Sequence, residues 1–83
     1  MSIHVRFFAA IREAVGTPSL TLDTRAATVG ELRDELIARG GAWAEALARG
    51  KAVRASVNQA MADEAAPLAP GVEVAFFPPV TGG

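Results

Sequence analysis

Apolar and polar residues alternate at the start of the chain, with Ile3, Val5 and Phe7 on one parity and His4, Arg6 and Phe8 on the other. A period of two predicts a half-buried strand, because successive side chains on an extended backbone point to opposite faces. Ala9 to Val15 predicts a short helical turn, stopped by Gly16 with Pro18 just beyond. Ser19-Leu20-Thr21-Leu22 predicts a second strand, and the short spacing favours a hairpin-like antiparallel pair with the first.

The period then changes. Thr28 and Glu31 have the Thr-x-x-Glu spacing of a capping box, in which each side chain satisfies a backbone N–H at a helix start. Val29, Leu32, Leu36 and Ile37 follow at helical spacing and form one apolar stripe, with Gly40-Gly41 expected to end the helix in a left-handed cap. A second short helical stretch carries Trp43 and Leu47 and is expected to stop at Gly50.

Alternation resumes at Val53, Ala55 and Val57, a third strand, after which Asn58-Gln59 opens a turn. Met61 to Leu68 reads as irregular or as a short strand, and Pro70-Gly71 is a tight turn. Val72, Val74 and Phe76 predict the last strand, stopped by Pro78-Pro79, which cannot donate to a ladder. The order strand, strand, helix, strand, short element, strand predicts one α+β domain over 1–83, its tail being 78–83. One sheet covered on one face by the capped helix would bury the apolar stripe. The crossover through that helix favours parallel pairing of the strands flanking it.

Composition narrows the function. At 51% hydrophobic and 20% charged residues, the chain can build a core, and only 6% aromatic residues imply a modest aliphatic one. With no Cys, thiol nucleophiles, zinc ribbons and redox motifs drop out, and one His makes no metal site alone. A net charge of -1 without a basic stripe argues against nucleic acid. No run approaches the apolar length that spans a bilayer, and Met1 to Arg6 does not resemble a signal peptide, so the expected address is cytoplasmic.

No internal constellation supports catalysis. His4 is a lone imidazole on a strand, and Glu31, Asp34 and Glu35 read as surface charges complementing a helix dipole. Gly40-Gly41 lacks the lysine and spacing of a phosphate loop. The tail remains. A terminal glycine pair alone is what any chain end can look like. Here Pro78-Pro79 follows a core strand directly, a stiff pair expected to project the tail, and Gly82 and Gly83 lack a Cβ and suit a narrow channel. The distinctive group is then the Gly83 carboxylate. Adenylation by ATP would make its oxygen a leaving group, and a sulfur donor displacing AMP would leave a thiocarboxylate.

The segment Val74-Ala75-Phe76-Phe77-Pro78-Pro79-Val80-Thr81-Gly82-Gly83 resembles the C-terminus of the molybdopterin synthase small subunit, the MoaD family. Phe7-Phe8-Ala9, Ile11 to Gly16, Thr28 to Arg33 and Ala55 to Gln59 extend the resemblance along essentially the whole chain. It implies a ubiquitin-like β-grasp fold, a mixed sheet with one main helix, and no permanently bound cofactor. It also implies two partners. An adenylating enzyme of the MoeB type would use ATP to activate Gly83, which then carries sulfur. A large subunit of the MoaE type, in a heterotetramer, would receive the tail (Pro78, Pro79, Val80, Thr81, Gly82) and convert cyclic pyranopterin monophosphate to the molybdopterin dithiolene. The rivals are a ThiS-like carrier of another pathway, typically lacking the Gly41 to Lys51 segment, and a ubiquitin-like modifier. Strand parity puts Phe8 and Phe77 on the sheet face opposite the helix, with Met61 within reach, a candidate partner interface.

Overall fold

A computed structural model describes residues 1–79. Five strands form one mixed sheet: β1 (Ser2–Phe7), β2 (Ser19–Asp23), β3 (Arg54–Val57), β4 (Ala60–Ala62) and β5 (Glu73–Phe77). The spatial order is β2-β1-β5-β3-β4. β1 and β5 are central and parallel, with Val5 opposite Val74 and Phe7 opposite Phe76. Every other neighbouring pair is antiparallel. Three helices accompany the sheet: α1 (Ala9–Val15), α2 (Val29–Ile37) and α3 (Gly41–Ala46). Among the described residues no helix is long and apolar enough to cross a membrane.

The alternation at the start of the chain is the structural core in outline. Ile3, Val5 and Phe7 are buried on the helix-covered face, where Val74, Phe76 and Ala55 join them. Val29, Leu32 and Leu36 of α2 close over them, together with Ala46 and Leu47 at the end of α3. The centre is more aromatic than composition implied. Phe7 stacks on Phe76 at 6.4 Å and meets the edge of Trp43 at 5.3 Å, so α3 is fastened to the two central strands through ring geometry that favours such offsets.

Several local expectations are corrected. β2 and β3 run in the same direction across the α2 crossover but do not pair, because β1 and β5 lie between them. The β1–β2 pair is antiparallel, yet α1 rather than a tight turn joins it. The capping box is half made: Thr28 Oγ1 accepts from the Glu31 N–H at 3.2 Å, but the Glu31 carboxylate accepts from Ala27 N–H at 3.3 Å instead of from the Thr28 backbone N–H. α2 ends at a right-handed Ala38, with Arg39 and Gly40 N–H groups tightening the last turn onto Leu36 and Ile37. Gly40, at φ 75° and ψ -174°, begins α3 instead of capping α2, a backbone conformation open essentially to glycine alone. α3 stops at Ala46, ahead of Gly50. The strand in the Met61 region is Ala60–Ala62, turned from β3 by Asn58 and Gln59, both at positive φ as a two-residue hairpin loop requires. The alternation of β3 also fails at Ser56, which is buried beside Ala55.

Candidate functional site

The sheet face away from the helices carries the candidate interface. Phe8 follows β1 and is not part of it: its extended backbone serves as the N-cap of α1, its N–H donating to Phe76 O at 3.2 Å and its carbonyl accepting from Arg12 N–H at 3.3 Å. Ala9 then turns the chain sharply, at φ 52°, a left-handed conformation unusual for a residue with a Cβ. The backbone of Phe8 is thus fixed on both sides while the residue stays 38% exposed. Phe77, the last residue of β5, sits one register step along from the Phe7–Phe76 pair, beside Phe8 and opposite Arg54.

Between these rings and the sheet edge lies a low floor. Ala75 pairs with Ser56, and Ser56 pairs with Met61 of β4. Ala75 and Ser56 are buried, whereas Met61 is 59% exposed. Phe8 follows the end of β1 and Phe77 ends the adjacent β5, while Met61 lies on β4, across β3 from them. The three residues picked from parity thus share one face, although Met61 also lines a groove of about 470 Å³ beside α2 and the β4 edge.

β5 leads straight to the tail. Pro78 and Pro79 are half-buried, and Pro78 lines a small apolar pocket of about 140 Å³ with Ala10, Ile11, Ala14 and Val53. Pro78 therefore anchors the end of the central strand against α1. Val80, Thr81, Gly82 and Gly83 lie outside the described residues.

The set-aside candidates have structural partners. His4 Nδ1 lies 3.2 Å from Thr21 Oγ1 on the neighbouring strand. Glu35 accepts from Thr24 Oγ1 at 2.6 Å and Asp34 from Arg49 at 2.7 Å, so the acidic cluster is dispersed among separate bonds. No group of three His, Cys, Asp or Glu among the described residues could hold a metal ion.

Sequence reasoning missed a buried guanidinium. Arg33 is 4% exposed and donates to the carbonyls of Leu47, Ala48 and Lys51 at 2.8, 2.6 and 3.1 Å, and to Glu64 at 2.7 Å. Glu64 also receives Arg49, which reaches on to Asp34 and Gly30 O. The two guanidinia, Arg49 first, hold the Glu64 carboxyl below the ordinary glutamate range against the opposing effect of partial burial. Gly30 permits this closeness, since a Cβ there would come within 3.1–3.2 Å of Glu64 atoms. The available signal was position: Arg33 falls within the 29, 32, 33, 36 stripe, where a buried residue belongs.

A mixed five-stranded sheet with parallel central strands, a helix across one face and a tail following the last strand defines a ubiquitin-like β-grasp protein. Residues 5–83 match the model of the ThiS family, and the chain belongs to that family. It is 48% identical to the molybdopterin synthase sulfur carrier subunit of Escherichia coli over 98% of this chain and 99% of that one. The subunit of the same description from Haemophilus influenzae is 41% identical over the same shares. Among solved structures, SAMP1 of Haloferax volcanii superposes with a TM-score of 0.77 at 29% identity, covering all of both chains. A protein–protein complex of subunits 1 and 2 of the molybdopterin-converting factor of Helicobacter pylori contains a chain with a TM-score of 0.70 at 27% identity, again over both full lengths. The resemblance to the molybdopterin synthase small subunit is borne out by these relatives. At family level the chain and the ThiS-like rival stand together, while the named full-length relatives fall on the molybdopterin side.

Proposed function

We propose that this chain is the sulfur-carrying subunit of a molybdopterin synthase and works through the Gly83 carboxylate. The observation that carries the reading is end-to-end similarity, 48% over 98% of the chain, to a protein described as that subunit. The geometry at Pro78 supports the reading: a central strand runs into a proline pair whose first member is seated against α1.

In the proposed cycle, Gly83 carboxylate oxygen attacks the α-phosphorus of ATP on an adenylating enzyme of the MoeB type, and pyrophosphate leaves. A sulfur donor displaces AMP from the acyl adenylate, leaving a thiocarboxylate. The tail then enters a large subunit of the MoaE type, where sulfur is transferred to cyclic pyranopterin monophosphate on the way to the dithiolene. Water restores the carboxylate. The chain contributes a nucleophilic sulfur and its delivery, the pterin-binding pocket belonging to the partner. A heterotetramer of two small and two large subunits fits this division of labour, in the cytoplasm where ATP is supplied.

A second reading, a protein modifier ending in an isopeptide bond, draws on the likeness to the small archaeal modifier protein 1 of Haloferax volcanii. Both readings share the activated Gly83. The intact mass of the protein recovered from cells separates them: replacement of one terminal oxygen by sulfur supports the carrier, and covalent protein adducts without a thiocarboxylate form would overturn it.

A further inference from the structure

The arginines of this chain differ in their pairing, and among the described residues Arg12, Arg25 and Arg39 have no carboxylate within 4.0 Å. On the helix side, Arg33 and Arg49 are neutralised by Glu64 and Asp34. Two other arginines stand on the open face beside the aromatic pair. Arg6 lies with its guanidinium carbon 5.3 Å from the centroid of the Phe8 ring. Its closest carboxylate, Glu73, is at 4.0 Å, and its side chain is 49% exposed. Arg54 is the cross-strand neighbour of Phe77, is exposed, and among the described residues has no carboxylate within 4.0 Å. The whole chain has a net charge of -1, so this bracketing is not a reflection of overall basicity.

We propose that Arg6 and Arg54 form a cationic bracket around the Phe8–Phe77 patch, matched to a protein partner whose apolar socket is flanked by carboxylates. The argument rests on the docking surface proposed above and adds the chemistry its occupant must have. Arg6 and Arg54 are each one neighbour from the aromatic pair, so any surface that covers the rings also strips water from the two guanidinia. An arginine desolvated without an acceptor opposes association, and one facing a carboxylate in bidentate geometry favours it. Arg6 is already oriented by its stacking on Phe8, so little rotamer freedom is lost when the acceptor arrives. The occupant is therefore an acidic-rimmed protein surface, and the bracket sets its approach to the sheet face.

The test is calorimetric titration of the full chain with the synthase large subunit of the same organism, at low ionic strength and at the physiological value, where the Debye length is about 8 Å. Arg6→Gln and Arg54→Gln should each weaken binding about three- to tenfold at low salt and by less at the higher salt. Arg25→Gln, the same charge change at an exposed position between β2 and α2, should leave affinity unchanged. Phe8→Ala should weaken binding equally at both salts. Thermal midpoints of all variants check that the fold is kept. If Arg6→Gln and Arg54→Gln match Arg25→Gln while Phe8→Ala weakens binding, the bracket is refuted and the docking surface stands. If Phe8→Ala, Phe77→Ala and Met61→Ala also change nothing, the docking surface itself is refuted. If the substitutions instead abolish self-association of the chain alone in sedimentation, the occupant is a second copy and the acidic partner is excluded.

Discussion

Arg33 and Glu64, 31 residues apart in sequence, meet at 2.7 Å, and their contact fastens the loop after β4 to the second turn of α2. The same guanidinium gathers three carbonyls from the stretch after α3. One side chain thus joins two irregular connections that no strand ladder holds. The Gly30 N–H donates to Glu64 O at 2.9 Å and completes the tie.

Replacing Arg33 by Met should destabilise the protein by about 2–4 kcal/mol, although Met fills similar space. Buried ion pairs can often be exchanged for apolar residues with little loss, but that needs both partners to be replaced. Here most acceptors are backbone carbonyls, which no substitution removes, and each one left dry costs about 1–3 kcal/mol. Chemical denaturation of wild type and Arg33→Met measures the difference. A loss below about 1 kcal/mol would mean that water replaces the guanidinium freely.

Glu64 makes this tie sensitive to acid. Its pKa is lower in the folded protein than in the unfolded chain, first because Arg49 hydrogen-bonds it and also because Arg33 does, with burial opposing both. The folded state therefore binds this proton less readily than the unfolded state. The stabilisation is complete above the unfolded glutamate pKa of about 4.3 and is lost as pH falls through the depressed folded value. The stability gap between wild type and Glu64→Gln should be widest near neutrality and close as pH drops below about 5. Because the pair is largely solvent-exposed at Glu64, the gap should be modest. A gap independent of pH over that range would show that the carboxylate charge is not what holds the loop.

The sheet was legible where local period decides the outcome. Ile3, Val5 and Phe7 are buried because strand parity permits only one face to be apolar, and the same rule carried Phe8 and Phe77 to the opposite face. Pairing across the α2 crossover was not legible locally. The strands it joins run in parallel directions, but the places between them are taken by β1 and β5, and that choice rests on contacts distant in sequence. Arg33 escaped notice because a charged residue is assigned by default to the surface, and only the carbonyls of Leu47, Ala48 and Lys51 make its burial tolerable. Glu64 was invisible for the same reason, its partners lying in α2 and in the loop after α3. The Gly82-Gly83 ending was read from motif and chemistry, without help from any side-chain packing.

Gly82→Ala should impair adenylation while leaving the thermal midpoint close to that of wild type. Single substitutions away from packed or strained positions usually change stability by about 0.5 kcal/mol or less, and position 82, with one methyl group added, is expected to be such a site. In a partner's channel the same methyl group would occupy space and narrow the accessible backbone angles. Deleting Gly83, or extending the chain beyond it, should abolish thiocarboxylate formation with the fold intact. Thermal scans and single-turnover adenylation assays report the two quantities separately. A large fall in midpoint with unchanged adenylation would contradict the assignment.

Truncating the open face should separate an anchor from its surroundings. Phe77 has its backbone in a central strand, paired with Arg54 of β3, so its position is fixed before any partner arrives. A pre-positioned aromatic at the centre of an interface commonly contributes about 1–3 kcal/mol or more when removed. Met61 stands on the edge strand, separated from the rings by β3, and is more exposed. At the rim, truncation generally costs less, since water reaches the site in either state. Phe77→Ala should therefore weaken binding of the large subunit by about 1–3 kcal/mol, Phe8→Ala by a similar amount, and Met61→Ala by less. Phe77 is half-buried in the free protein, so part of its removal could act through folding; circular dichroism melts of the same samples separate the two effects. Equal affinity of all three variants and wild type in calorimetric titration would remove this face as the docking surface, leaving the tail alone to hold the partner.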